Sequence, residues 1–143
     1  DAFAIAIDTS ASCDAVLVRR FLEEVYGILS TQENFFRKMK AVFFQCDCCL
    51  QDKAVITNRE QWLSYGRNIK IKGRGGTDFT PVFREIEAMR ARGELPRPRA
   101  LLYFTDGDGY YPHKPDYETV FVLAGPQKHP ELVPKWAKTL VLE

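Results

Sequence analysis

Asp8, Ser10 and Ser12 occupy alternate positions in Asp8-Thr9-Ser10-Ala11-Ser12. On a tight turn, alternate residues point to one side, so this stretch offers one carboxylate and two hydroxyls together. Thr77, after Gly75-Gly76, adds a third hydroxyl, and Asp106, before Gly107, a second carboxylate. All five are hard oxygen donors, which suit Mg²⁺, Mn²⁺ or Ca²⁺ and disfavour zinc and copper. With only two carboxylates, Mg²⁺ retains waters or an open coordination position, and an open position accepts a carboxylate from another protein.

These residues must be brought together by regular elements. Ala2 to Ile7 is apolar on both faces, as a buried parallel strand requires, and it ends in Asp8. From Asp14 to Leu29 the period becomes helical, with Leu17, Phe21, Val25 and Ile28 as the expected stripe. Lys40 to Gln45 and Ala54 to Thr57 read as two strands; their short connection predicts an antiparallel hairpin. Asn58 to Gly66 predicts a short helix with Trp62 and Leu63 facing inward. After the glycine-rich Lys72 to Asp78, a helix is expected with Thr80 as N-cap, Pro81 at its first position and Gly93 as its stop. Its apolar stripe is Val82, Phe83, Ile86 and Met89. Ala100 to Thr105 is a second strand ending in an aspartate, followed by strands over Thr119 to Leu123 and Thr139 to Leu142.

Alternating strands and helices predict an α/β fold with a mostly parallel sheet. Ligands bind such sheets at the carboxyl ends of the strands, where strand order reverses. Asp8 and Asp106 both fall at such ends, and Thr77 lies in a loop just before a helix.

The three pieces Asp8-Thr9-Ser10-Ala11-Ser12, Gly75-Gly76-Thr77-Asp78 and Phe104-Thr105-Asp106-Gly107 resemble, in order, the metal-ion-dependent adhesion site of the von Willebrand factor A (VWA) family. The resemblance covers essentially the whole chain. It is nearest to the C-terminal VWA-like domain of bacterial predicted-metallopeptidase-like proteins, through Gly75 to Phe83 and Tyr103 to Gly107 with the following Pro112. It implies a Rossmann-like three-layer sandwich, a six-stranded sheet with one antiparallel edge strand, helices on both faces and strand order 3-2-1-4-5-6. It also implies that Ser10 and Ser12 ligate the metal directly, that Thr77 does so when a partner is bound, and that Asp8 and Asp106 act through bound waters. The family binds partners and does not usually catalyse. Relatives of this type are linked with MoxR-type AAA+ ATPases, so such an ATPase is an expected partner. The alternative is a regulatory or substrate-presenting domain of a metallopeptidase-like enzyme whose catalytic part lies upstream.

Other readings fit less well. Ile7-Asp8-Thr9-Ser10-Ala11 is similar to the active-site turn of retroviral-type aspartic proteases, but the helical repeat that follows is foreign to that mostly β fold. A haloacid-dehalogenase phosphatase wants a second aspartate where Ser10 stands. Counted from Asp106, the twelfth position of an EF-hand loop is Tyr117 rather than glutamate. Gly73 to Gly76 lacks the Gly-Lys-Ser/Thr ending of a phosphate-binding loop. There is no HExxH, and His113 and His129 are too far apart to share a helical turn.

Composition narrows the class further. The chain has 143 residues, 20 Lys and Arg against 19 Asp and Glu, and a net charge of +1, which argues against a nucleic-acid binder. Hydrophobic residues make up 45%, ordinary for a globular domain, while no apolar run approaches the ~20 residues a membrane span needs. The chain opens directly on a strand without a signal-peptide pattern, so 1–143 is expected to be one domain of a longer protein, which the resemblance implies is its C-terminal one, and its free thiols suit the cytoplasm. Cys13, Cys46, Cys48 and Cys49 lack zinc-site spacing and are expected to be free thiols. Phe35, Phe36, Phe43, Phe44, Trp62 and Trp136 are core candidates; Tyr110 and Tyr111 are candidate rim contacts. Arg67, Lys70, Lys72 and Arg74 form a basic stretch that would steer an acidic partner.

Overall fold

The computed structural model describes residues 2–10, 15–29, 31, 39–70 and 76–142. Ser12, Cys13, Phe35, Phe36, Lys72 and Arg74 therefore lie outside the described residues. Strand β1 (Ala2–Asp8) is central, paired in parallel with β2 (Lys40–Cys46) on one side and β4 (Pro98–Thr105) on the other. β3 (Leu50–Ile56) runs antiparallel on the outer side of β2; β5 (Glu118–Leu123) and β6 (Lys138–Val141) continue in parallel beyond β4. The sheet order is β3-β2-β1-β4-β5-β6, with the single antiparallel edge strand that the family resemblance implies.

The two-residue period of β1 explains why a strand apolar on both faces is needed. Ala2, Ala4 and Ala6 face one core layer with helix α3 (Thr80–Ala91), through Val82, Phe83, Ile86 and Met89. Ile5 and Ile7 face the other, with helices α1 (Ala15–Leu29) and α2 (Arg59–Asn68). The small alanines share this layer with the large Phe44, Tyr103 and Phe121. Among the described residues no helix is long and apolar enough to cross a membrane.

Several local expectations are corrected. On α1 the buried residues are Val18, Phe21, Leu22 and Val25, at i, i+3, i+4 and i+7; Leu17 falls to the flank and Ile28 is 66% exposed. On α2 Trp62 is buried, but Leu63 is 38% exposed, because adjacent residues sit about 100° apart on a helix. β3 begins at Leu50 rather than Ala54: its half-buried and exposed alternation, typical of an edge, tolerates Gln51, Asp52 and Lys53. β4 begins at Pro98, a strand-initial position proline can occupy. Thr80 is not the cap of α3 but its first residue; the Asp78 carboxylate accepts its N–H at 2.9 Å. Pro81 lies in the first turn as expected.

Candidate metal centre

β1 lies between β2 and β4, and the chain leaves it in one direction first and returns on the other side later, so the crevice between the carboxyl ends of β1 and β4 is a topological switch point. Parallel register places Ile7 opposite Phe104, so the residues that follow, Asp8 and Thr105, emerge side by side. The Asp8 side chain is held at both oxygens. Oδ1 accepts the Ser10 N–H at 2.9 Å, and Oδ2 accepts the Thr105 hydroxyl at 2.6 Å. Thr105 Oγ1 in turn accepts the Gly107 N–H at 3.2 Å. Thr105 is thus a positioning residue that the sequence alone does not single out.

Asp8 is 1% exposed. Burial raises its pKa above the ordinary 3.8; the hydrogen bonds from Thr105 and Ser10 oppose that rise, and the charge of Asp106 adds to it. Asp106 is half-buried one residue past β4, and its Oδ1 accepts the Asp108 N–H at 3.0 Å, which folds the loop into an Asx turn. Gly107 follows at φ +95°; a Cβ there would sit 2.8 Å from the His129 carbonyl oxygen, so only glycine fits.

Thr77 reaches this edge through backbone pairing. Asp78 and Tyr110 form a parallel bridge, with the Phe79 N–H donating to Tyr110 O at 3.0 Å and the Tyr110 N–H to Thr77 O at a long 3.4 Å. The Asp78 N–H also donates to Asp47 O at 2.9 Å, which ties the same loop to the end of β2. Gly109 makes the approach possible: a Cβ there would lie 2.6 Å from Thr77 Cγ2 and 2.9 Å from the Phe79 ring. Asp47, a residue the sequence did not single out, is buried, and its Oδ1 accepts from the Cys49 N–H and Gln51 Nε2, both at 3.0 Å.

The fold therefore gathers Asp8, Ser10 and Asp106 at one crevice and seats Thr77 against the loop that starts at Asp106. Ser12 lies outside the described residues. The donors present are carboxylate and hydroxyl oxygens, a set that fits a hard divalent cation. Thr9 Oγ1, one residue past Asp8, is buried with no hydrogen-bond partner among the described residues. Among the described residues the three thiols do not form one cluster: Cys46 is buried in the α3 layer, its pKa pushed up to about 12 chiefly by burial, whereas Cys48 and Cys49 are exposed with their sulfurs 3.7 Å apart. Among the described residues no three His, Cys, Asp or Glu side chains are grouped to hold a metal. The rim expectation is split. Tyr110 is 77% exposed, but Tyr111 turns inward, packing on Phe79 and Phe121 with ring centroids 4.7 and 5.0 Å apart, and donates its hydroxyl to Gly107 O at 2.5 Å. Of the basic stretch, Arg67 and Lys70 fall within the described residues and are exposed.

The family described as "VWA-like domain (DUF2201)" matches residues 3–143. The fold is similar to that of an aerotolerance-related membrane protein from Bacteroides fragilis (TM-score 0.59, 14% identity, 85% of this chain and 66% of that one). It is also similar to BatB from Bacteroides thetaiotaomicron (TM-score 0.62, 13% identity, 85% and 65%) and to the SpRpn10 VWA domain (TM-score 0.60, 11% identity, 99% and 87%). The chain spans slightly less than two thirds of the length of the two Bacteroides structures. A search of curated proteins finds no match.

Proposed function

Because the chain belongs to the VWA-like domain family DUF2201, whose fold generally mediates protein–protein interaction, we propose that it is a divalent-cation-dependent protein-binding module. Asp8, Ser10, Ser12, Thr77 and Asp106 hold Mg²⁺, or Mn²⁺ or Ca²⁺ in its place. Ser10 and Ser12 bind the ion directly, Asp8 and Asp106 orient its waters, and Thr77 joins when a partner docks. The partner supplies an acidic side chain to the open coordination position; an AAA+ ATPase of the MoxR type is the partner class. The domain works by binding and not by catalysis.

The observation that carries this reading is the Asp8 carboxyl. It is buried beside the charge of Asp106, and both effects raise its pKa. Its hydrogen bonds from Thr105 and Ser10 fix its direction without neutralising it. A bound cation reverses that electrostatic strain, and the neighbouring hydroxyls are the donors such a cation takes.

Titration calorimetry of Mg²⁺ and Mn²⁺ into the chain, alongside Asp8→Ala, tests it. Binding to the wild type that is lost in the variant is expected. If the wild type takes up no metal, alone or with an acidic peptide present, the reading is wrong.

A further inference from the structure

On the sheet face away from α3, helices α1 and α2 leave a groove of about 390 Å³ between them. Leu22, Tyr26, Trp62 and Leu63 give it apolar walls. Its two ends differ, and the topology says how. α1 starts just after β1 and so descends from the Asp8 edge of the sheet. α2 follows β3, which runs antiparallel, and so climbs back toward that edge. Arg19 in the second turn of α1 and Arg67 in the last turn of α2 therefore both flank the end of the groove nearest Asp8. Both are exposed, and no ion pair engages either guanidinium among the described residues, whereas neighbouring Arg20 pairs with Glu24. Glu23, one turn deeper on α1, makes the far part of the groove less hospitable to an anion.

Gly66 points the same way. It lies within α2 and lines the groove, yet a Cβ there would meet nothing within 4 Å and its φ is not in the left-handed range. Neither backbone nor packing requires glycine, and glycine inside a helix is destabilising relative to alanine. What it does is leave the groove wall bare.

We propose that this groove is a second contact surface for the protein partner. It takes a segment in which a carboxylate, bridging Arg19 and Arg67, lies next to a large apolar side chain seated against Tyr26, Trp62 and Leu63. Arginine forks suit a carboxylate, and the apolar walls supply the anchor pocket that interfaces use. This inference rests on the reading of the chain as a protein-binding module, but not on the metal.

The test uses a fluorescein-labelled peptide of two aspartates, a glycine, a tryptophan and a leucine, followed by fluorescence polarisation with the full chain in EDTA. Saturable binding is expected. It should weaken at least tenfold when lysines replace the aspartates and at least tenfold in the double variant Arg19→Glu/Arg67→Glu. Gly66→Phe, whose Cβ meets nothing within 4 Å and whose ring would occupy the groove, should weaken it similarly while the thermal melt stays cooperative. Absence of binding in EDTA overturns the proposal, as does binding that appears only with Mg²⁺ or that neither arginine reversal nor Gly66→Phe reduces. Failure of the metal reading shows up separately, as absence of Mg²⁺ uptake in calorimetry.

Discussion

Along the outer side of α3, Glu85 lies 2.7 Å from Lys53 Nζ and 3.2 Å from Arg92 Nη2, and Arg90 grips both oxygens of Asp116 at 2.7 and 3.0 Å. At the carboxyl edge of the sheet, Asp8 is gripped as firmly, but by a hydroxyl and an amide, and it faces another carboxylate. The consequences are opposite. Lys53 draws the Glu85 pKa down and Arg90 draws that of Asp116 down, whereas burial pushes Asp8 up. The α3 cluster completes its own charge balance from within the chain. Among the described residues the Asp8 carboxylate is ordered by dipoles, which orient it without cancelling its charge, as the proposed cation site requires.

The largest expected effect tests the edge directly. Asp106→Ala should cost Mg²⁺ roughly 100-fold in affinity, the upper end of the range for a group acting through a ligand's water shell. In EDTA its melting temperature should stay within about 4 °C of wild type, since Asp106 is half-buried in a loop. A variant that fails to fold would give Asp106 a structural role instead. Next in size, Mg²⁺ at about 100 times its dissociation constant should stabilise the wild type by about 2.7 kcal/mol, a rise of roughly 10 °C that EDTA abolishes. A melting temperature indifferent to saturating Mg²⁺ would place the bound ion somewhere other than on the native edge.

Much of this contrast was legible in the sequence, for a physical reason. A strand buried on both faces must be apolar throughout, so an aspartate at its end stands out, as Asp8 and Asp106 do after Ala2 to Ile7 and Ala100 to Thr105. The helix stripe of α3 was equally plain. What escaped were features whose meaning depends on a distant neighbour. Thr105 looks like any β-branched strand residue until register sets it beside Asp8. Gly109 matters only because Thr77 packs on it, and Asp47 only because its carbonyl holds Asp78. Tyr110 and Tyr111 are adjacent and alike; the fold exposes one and buries most of the other. β3 is longer than its sequence suggests because an edge strand need not be apolar, so Gln51 to Lys53 carry no strand signal.

A smaller effect sharpens the comparison through stability alone. The folded-state pKa of Asp8 lies above its unfolded value of 3.8, so the native state holds that proton more tightly. Its contribution to stability therefore declines as pH rises through the folded pKa, and at neutral pH the metal-free edge carries a cost. Asp8→Asn keeps an oxygen for the Ser10 N–H and removes the charge. In EDTA it should melt higher than wild type at pH 7, with the advantage shrinking as pH is lowered toward 3.8, and it should gain nothing from Mg²⁺. A lower melting temperature at pH 7 would mean that the Thr105 and Ser10 bonds outweigh the burial of charge.

Glu85→Gln makes the mirror-image test at the α3 cluster and carries the smallest effect. Here the folded pKa lies below the ordinary 4.5, chiefly through the hydrogen bond from Lys53. The stabilisation is present above the unfolded value and is lost as pH falls through the folded one. Glutamine keeps the shape and one acceptor but gives up the charge that Lys53 and Arg92 share. Partly exposed ion pairs of this kind contribute about 0.5–1 kcal/mol, so urea melts at pH 7 should show a loss of that size, narrowing below pH 4.5. Mg²⁺ affinity should not change, because the charge removed is balanced within its own cluster. A change in Mg²⁺ affinity comparable to that in Asp106→Ala would show that the two groups of carboxylates act on one another through the sheet, and the division between a self-neutralised cluster and an open edge would not hold.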